Sequence, residues 1–186
     1  MPDNPSPDTV KDVLNRAHHL LLRTGLTVSV AESCTGGLLG GALTELSGSS
    51  EYFLGGVIAY ADSAKIALLG VDELTIVAHG AVSGPVALEM AEGAKRATSS
   101  DIAISITGIA GPTGGTEQKP VGTTFIGISG LGSAHVERFV WTGDRAENRA
   151  ASVRAALELL VELIDRSLSA VPQSSLHQPH SPLELE

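Results

Sequence analysis

The feature of this sequence that most limits its fold is the alternation of short β-branched runs with segments of helical spacing. Strand-like runs cover residues 26–31, 52–60, 101–106, 121–129 and 135–141. Helix-like segments cover residues 8–24, 38–46, 61–69, 72–78 and 148–168, and a further helix-like segment begins at residues 84–85. Strands that alternate with helices form a sheet covered on both faces. The last two runs are close enough to pair as an antiparallel hairpin. We therefore predict an α/β fold, a three-layer α/β/α sandwich with a mixed, mostly parallel sheet.

Composition supports one domain with a core of small and aliphatic side chains. Only 3% of the residues are aromatic, whereas 21 of the 186 are glycine, which favours closely packed elements and sharp turns. The ends, residues 1–7 and 170–186, are rich in Pro and Ser and bury too little apolar surface to offset their ordering entropy. We predict a domain over residues 8–168 with a flexible tail on each side.

Charge and hydropathy exclude several classes of protein. The net charge of −9 disfavours binding to nucleic acid, which needs clustered Lys and Arg. No apolar run reaches the ~20 residues that span a bilayer, and the first residues do not resemble a signal peptide. The single cysteine, Cys34, cannot form an internal disulfide, and no Cys/His spacing indicates a metal site. We expect a cytoplasmic protein without a metal, a cofactor or a membrane partner.

A strand, a turn and a helix meet at the segment that carries Ser33, Cys34, Thr35, Gly36 and Gly37. Ligands favour the carboxyl ends of the strands in an open α/β sheet, and the N–H groups of a helix start can hold a phosphate or an oxyanion. Ser33 or Thr35 would equally serve as a helix cap, and the glycines would equally allow close packing. We expect Ser33 to be a nucleophile and the other four residues to contact the substrate.

The run with Tyr60 and Lys65 follows the second strand. If this strand is a neighbour of the first, both side chains face Ser33. A serine needs a base to take its proton, and a lysine can do so where burial disfavours its charged form. The alternative is that Lys65 is an ordinary surface charge.

A third glycine-rich loop, residues 107–115, follows the strand at 101–106. Its backbone N–H groups would lie at the same edge of the sheet, so we predict substrate contacts from Thr107, Gly108, Ala110 and Gly111. Its glycines would also suit a wide turn without a ligand. Arg145 would pair with a phosphate, or it simply follows Asp144 as the cap of the last helix.

Four motifs, in chain order, carry a family resemblance. They are AESCTGG at 31–37, SSEYFLGGVIAYADSAK at 49–65, HGAVS at 79–83 and TGIAGPTGGTEQKPVGT at 107–123. Together they resemble the C-terminal domain of the competence/damage-inducible protein CinA and its stand-alone relatives, the nicotinamide-nucleotide amidohydrolases. The resemblance covers residues 8–168. It does not extend to the N-terminal nucleotide-processing domain of full-length CinA, so we expect no activity of that domain.

The resemblance implies a reaction and its residues. The reaction is the hydrolysis of nicotinamide mononucleotide to nicotinic acid mononucleotide and ammonia, in pyridine-nucleotide recycling, without a metal. It implies Ser33 as nucleophile, Lys65 as base and Tyr60 as its assistant, with the 107–112 loop and Arg145 binding substrate in a self-associating protein. Many relatives carry Asn in place of Asp62, and a carboxylate there favours the charged form of Lys65.

Two other interpretations remain open at the level of sequence. Cys34 would be the nucleophile if the start of the helix stabilised its thiolate, although no His partner is evident. The second is a nucleotide- or phosphate-binding module without catalysis, linked to competence or to the DNA-damage response, in which the glycine loops only hold an anion.

Overall fold

The computed structural model describes residues 9–170, so the predicted tails lie outside the described residues, apart from Ala170 at the end of the last helix. The helices are α1 (Val10–Thr24), α2 (Leu38–Leu43), α3 (Asp62–Leu69), α4 (Glu73–His79), α5 (Gly84–Thr98) and α6 (Arg145–Ser169), with a single 3₁₀ turn at Ser49–Glu51. The strands are β1 (Val28–Glu32), β2 (Phe53–Ile58), β3 (Ile102–Gly108), β4 (Thr123–Gly130) and β5 (Ser133–Val140). Over this part of the chain, every helix is too short or too polar to cross a membrane.

The five strands form one mixed sheet in the order β2-β1-β3-β4-β5. β1 pairs in parallel with β2 and β3, whereas β4 is antiparallel to both β3 and β5. Only β4 therefore runs against the other four strands. The predicted hairpin is confirmed, and its turn at Leu131 and Gly132 has the positive φ angles (53° and 76°) that two-residue hairpin loops require.

Helices cover both faces of the sheet, which confirms the three-layer sandwich. On one face α1, α2 and α6 bury the aliphatic side chains of the central strands, among them Ile102, Ile104 and Ile106. On the other face α5, with α3 and α4 outside it, packs on much smaller residues such as Ala31 and Ala103. The sheet is thus bulky on one face and nearly flat on the other, and this difference determines how closely each helix approaches.

Helix α5 approaches its neighbours so closely that side-chain atoms are excluded at several positions. A Cβ atom on Gly127 of β4 would lie 2.7 Å from the carbonyl oxygen of Ala87, to which Ser105 Oγ donates a hydrogen bond. A Cβ on Gly93 would lie 2.1 Å from the carbonyl oxygen of Leu69, where α3 ends. Part of the high glycine content therefore serves packing between layers.

Most boundaries differ from the prediction by one or two residues or not at all, and two differ by three residues. Helix α6 begins at Arg145 rather than at 148, because Asp144 and Glu147 form a reciprocal capping box that secures one additional turn. Helix α2 ends at Leu43 rather than at 46, since the Thr44 hydroxyl donates to the carbonyl oxygens of Gly40 and Gly41.

The carboxyl ends of β1, β2 and β3 lie at one edge of the sheet because these strands are parallel. β1 leads into Ser33, β2 into Tyr60, and β3 ends at Gly108. The chain also leaves β5 at this edge and starts α6 at Arg145. The topology thus gathers all three predicted functional segments and Arg145 at one place.

Replacing Gly93 with Ala tests the close packing of α5. We expect a loss of about 1–3 kcal/mol in the free energy of unfolding, because the new methyl group meets a backbone oxygen that cannot move away easily. The matched control is Gly41→Ala in α2, where no heavy atom lies within 4 Å of the new Cβ. This control should be neutral or up to about 1 kcal/mol more stable, since Ala favours helix. Urea unfolding measures both, and equal stability of the two variants would contradict the packing argument.

Candidate active site

The carboxylate of Glu32, the last residue of β1, holds the start of α2. Glu32 is 1% exposed, and its two oxygens accept hydrogen bonds from the backbone N–H groups of Gly37 (3.0 Å), Leu39 (3.1 Å) and Gly40 (2.8 Å). These N–H groups are donors that the first turn of a helix leaves unpaired. This corrects the prediction for Gly37: its N–H group, like those of Leu39 and Gly40, is not available to a phosphate or an oxyanion, because a side chain of the protein already accepts from it.

The backbone conformation of the turn between Glu32 and α2 favours glycine at two positions. Gly36 and Gly37 have φ angles of 61° and 98°, which favour glycine, and a Cβ on Gly37 would lie 3.1 Å from Ile58 Cδ1. Thr35 is fully buried, and its carbonyl oxygen accepts a 2.6 Å hydrogen bond from Arg149 Nη2. Turn geometry and packing thus account for the two glycines without a ligand, whereas the buried Thr35 Oγ1 has no hydrogen-bond partner in the described part of the chain.

Lys65 of α3 lies beside Ser33, as the proposed serine–lysine pair requires. Its side chain is 2% exposed, and its Nζ lies 3.3 Å from Ser33 Oγ. The alternative that Lys65 is a surface charge is therefore wrong. The same Nζ also donates to the carbonyl oxygens of Ala59 (3.1 Å) and Tyr60 (3.2 Å), just beyond β2.

The contacts of Lys65 Nζ hold it in a fixed position. Nζ donates to the carbonyl oxygens of Ala59 and Tyr60, and its third contact is Ser33 Oγ. Asp62 Oδ1 lies 3.6 Å from Nζ, but the Asp62 side chain is 56% exposed and screened by water. The two backbone carbonyls therefore keep the amine against Ser33.

A cavity of about 330 Å³, here called the Ser33 cavity, opens over this pair. Its walls come from all the predicted segments: Ser33, Cys34, Tyr60, Asp62, Lys65, Ala81, Val82, the stretch 107–111, Thr113, Gly114 and Arg145. Nine of the twelve residues predicted for the site line this cavity. Thr35, Gly36 and Gly37 do not, so their contact with a substrate has no support from the cavity.

Tyr60 and Arg145 meet across the cavity. Arg145 Nη2 donates to Tyr60 Oη at 3.2 Å, and Arg145 Nη1 donates to the carbonyl oxygen of Gly111 at 2.8 Å. Tyr60 thus contacts Lys65 through its backbone carbonyl, while its phenol pairs with Arg145. Arg145 thereby connects α6 to the two loops that border the cavity.

Sequence reasoning missed three residues that shape the site: Glu32, Asn148 and Arg149. Asn148 is 2% exposed; its Nδ2 donates to the carbonyl oxygen of Ala110 (3.1 Å), and its Oδ1 accepts from Gly143 N–H (3.0 Å). It therefore fixes the third loop against the start of α6. The only available signal was a polar residue at a position where the helical pattern expects an apolar one.

Burial works against Cys34 as a nucleophile. Removal from water, the largest effect, raises the pKa of the Cys34 thiol from 9.0 to about 11. The prediction that the helix start stabilises its thiolate is wrong, because Glu32 occupies that helix start and its charge also raises the pKa of Cys34. Within residues 9–170, no three His, Cys, Asp or Glu side chains come together as a metal site would require.

Comparison with known proteins gives a consistent result. The CinA C-terminal domain family matches residues 10–164. A CinA-like protein of Chlorobaculum tepidum is 56% identical over 151 residues, which are 78% of this chain and 36% of that protein. A putative competence-damage inducible protein of Halothermothrix orenii is 47% identical over 142 residues, 76% of this chain and 34% of that protein. The chain thus spans about a third of the length of these curated relatives.

Solved structures resemble this fold over almost their whole length. The competence/damage inducible protein CihA of Agrobacterium tumefaciens has a TM-score of 0.81 and 40% identity, with 86% of this chain and 98% of that chain covered. A CinA superfamily protein of Klebsiella pneumoniae has a TM-score of 0.82 and 33% identity, with 86% and 99% covered.

Alkylation tests whether Cys34 is a buried, neutral thiol in the folded protein. At about pH 8 a thiol with a pKa of about 11 forms roughly a hundredfold less thiolate than one with the ordinary value of 9.0. We therefore expect iodoacetamide to modify the folded protein at least about a hundredfold more slowly than the protein unfolded in urea, and the rate to rise steeply toward pH 11. Mass spectrometry gives a clear readout, since the chain has one cysteine. Equal rates in the two states would contradict a buried, neutral thiol.

Proposed function

Because this chain belongs to the CinA C-terminal domain family, we propose that it hydrolyses the carboxamide of nicotinamide mononucleotide, with Ser33 as nucleophile and Lys65 as base. The observation that carries the proposal is the 3.3 Å contact between Lys65 Nζ and Ser33 Oγ inside a cavity. A buried lysine amine in contact with a serine hydroxyl is an arrangement that can activate a serine without a histidine.

In the first half of the reaction, Ser33 Oγ attacks the carboxamide carbon and its proton passes to Lys65 Nζ. The tetrahedral intermediate then collapses, the bond from carbon to nitrogen breaks, and Lys65 returns the proton to the leaving nitrogen, which departs as ammonia. The product at this stage is an ester of Ser33. Lys65 is neutral again and ready for the second half.

In the second half, water attacks the ester carbon and gives one proton to Lys65 Nζ. When the bond from carbon to Ser33 Oγ breaks, the proton returns to Oγ and nicotinic acid mononucleotide leaves. Its new carboxylic acid gives the second proton of the water to the released ammonia in solution and becomes a carboxylate. Both halves develop negative charge on the substrate oxygen. The backbone N–H of Cys34 is the candidate donor, because Cys34 directly follows the proposed nucleophile and lines the Ser33 cavity.

Ammonia release tests the assignment. Wild-type protein should release ammonia from nicotinamide mononucleotide with a chelator present and no metal added, whereas Ser33→Ala and Lys65→Met should lose on the order of 10³-fold or more in kcat, since each removes a group needed in the transition state. The matched controls are Ser167→Ala near the end of α6 and Lys95→Met in α5, both away from the Ser33 cavity. They should retain wild-type activity.

Two outcomes would count against the proposal. Substantial turnover by Ser33→Ala would exclude Ser33 as nucleophile. No ammonia from the wild type, together with measurable binding of the mononucleotide, would favour the binding module without catalysis.

A further inference from the structure

A second cavity adjoins the Ser33 cavity on α6 and is here called the arginine cavity. It measures about 600 Å³, and Arg145 belongs to the walls of both cavities. Arg149, one helical turn further along α6, lines the arginine cavity, with apolar wall residues Pro112, Val121 and Ala146. Residues four apart lie on one face of a helix, so the two guanidinium groups border the same space.

Neither arginine has a carboxylate partner among residues 9–170. Further along the same helix, Arg154 pairs with Glu158 (2.8 Å) and Arg166 with Glu162 (2.6 Å). The contrast is notable in a chain with a net charge of −9, where acidic residues outnumber basic ones by 21 to 12. The two arginines at the cavities are thus the pair on α6 whose charge the protein leaves without a counterion.

Two arginines without carboxylate partners are unfavourable at the start of α6. The first turns of a helix carry partial positive charge, so cations there are less stable than at the other end. Asp144 also lines the arginine cavity, but its Oδ1 accepts a hydrogen bond from Glu147 N–H at 2.9 Å as the helix cap. An anion bound beside both arginines would offset the repulsion and complete the site.

The guanidinium groups retain unused donors for such an anion. Arg145 donates to Gly111 and Tyr60, and Arg149 donates from Nη2 to Thr35, which leaves several of the five N–H donors of each group free. Each side chain is thus anchored by the backbone or by Tyr60, so its orientation is fixed before a ligand arrives.

We propose that Arg145 and Arg149 together form the subsite for the phosphate monoester of the substrate. A phosphate dianion matches two planar guanidinium groups better than one, through several charge-assisted hydrogen bonds. This inference rests on the proposed function, because Arg145 also lines the Ser33 cavity: the carboxamide end lies at Ser33 while the phosphate end lies between the arginines. The subsite would make the enzyme select the nucleotide over the nucleoside.

The test compares two substrates with the same amide, nicotinamide mononucleotide and nicotinamide riboside, which lacks the phosphate. Arg149→Met should lower the ratio of kcat/KM for the mononucleotide to kcat/KM for the riboside by about tenfold or more, mainly through the KM of the mononucleotide. Arg149→Lys should recover part of the preference, and Arg154→Met is the matched control. If Arg149 served only to hold the Thr35 carbonyl, both substrates would lose activity equally, and the inference would be overturned.

A binding experiment distinguishes a failure of this inference from a failure of the proposed function. Isothermal titration of Ser33→Ala and of Ser33→Ala/Arg149→Met with the mononucleotide should show weaker binding to the second protein. That result would support the subsite even if the wild type released no ammonia, whereas equal affinities would overturn it. Inorganic phosphate should compete with the mononucleotide in wild-type kinetics. Non-competitive behaviour would indicate a separate site for free phosphate and contradict the assignment to the substrate.

Discussion

The buried carboxylate of Glu32 is the interaction on which the geometry of the site depends. A carboxylate in the interior is costly unless hydrogen bonds compensate for lost water, and three backbone N–H groups at the start of α2 do so here. The bonds fix the path of the chain from β1 to α2, so that Ser33 leaves the sheet toward Lys65. They also occupy the helix start, and an anionic ligand must find its donors elsewhere.

The sheet order supplies the rest of the arrangement. β1 lies between β2 and β3, and the helices that follow β1 and β2 cover opposite faces of the sheet. A crevice forms at the carboxyl ends of strands where successive connections diverge in this way. Ser33 and Lys65 come from the two diverging connections, which is why residues 32 positions apart in sequence meet at 3.3 Å.

The sequence predicted what depends on periodicity and on chain order. The α/β sandwich, the hairpin and the meeting of Ser33, Lys65 and the third loop followed from alternating patterns and from parallel strands that end at one edge. The role of Glu32 did not, because a carboxylate that folds back onto a helix start leaves no periodic signal. The alternative in which the start of α2 stabilises a Cys34 thiolate fails for the same reason, because Glu32 already occupies that helix start.

The proposed function places an anionic substrate on an acidic protein, which poses a local electrostatic problem. Salt screens charges further apart than about 8 Å, so the net charge of −9 acts weakly on a ligand already in the cavity. Groups in direct contact decide the outcome. Glu32 neutralises the start of α2, and Asp144 and Glu147 cap the start of α6, whereas Arg145 and Arg149 have no carboxylate partner in the described chain. In the proposal these two arginines receive the phosphate. Their positive charge then lies near Ser33 without a cation directly against Lys65 Nζ, whose charged neighbour within 4 Å in the described chain is the carboxylate of Asp62.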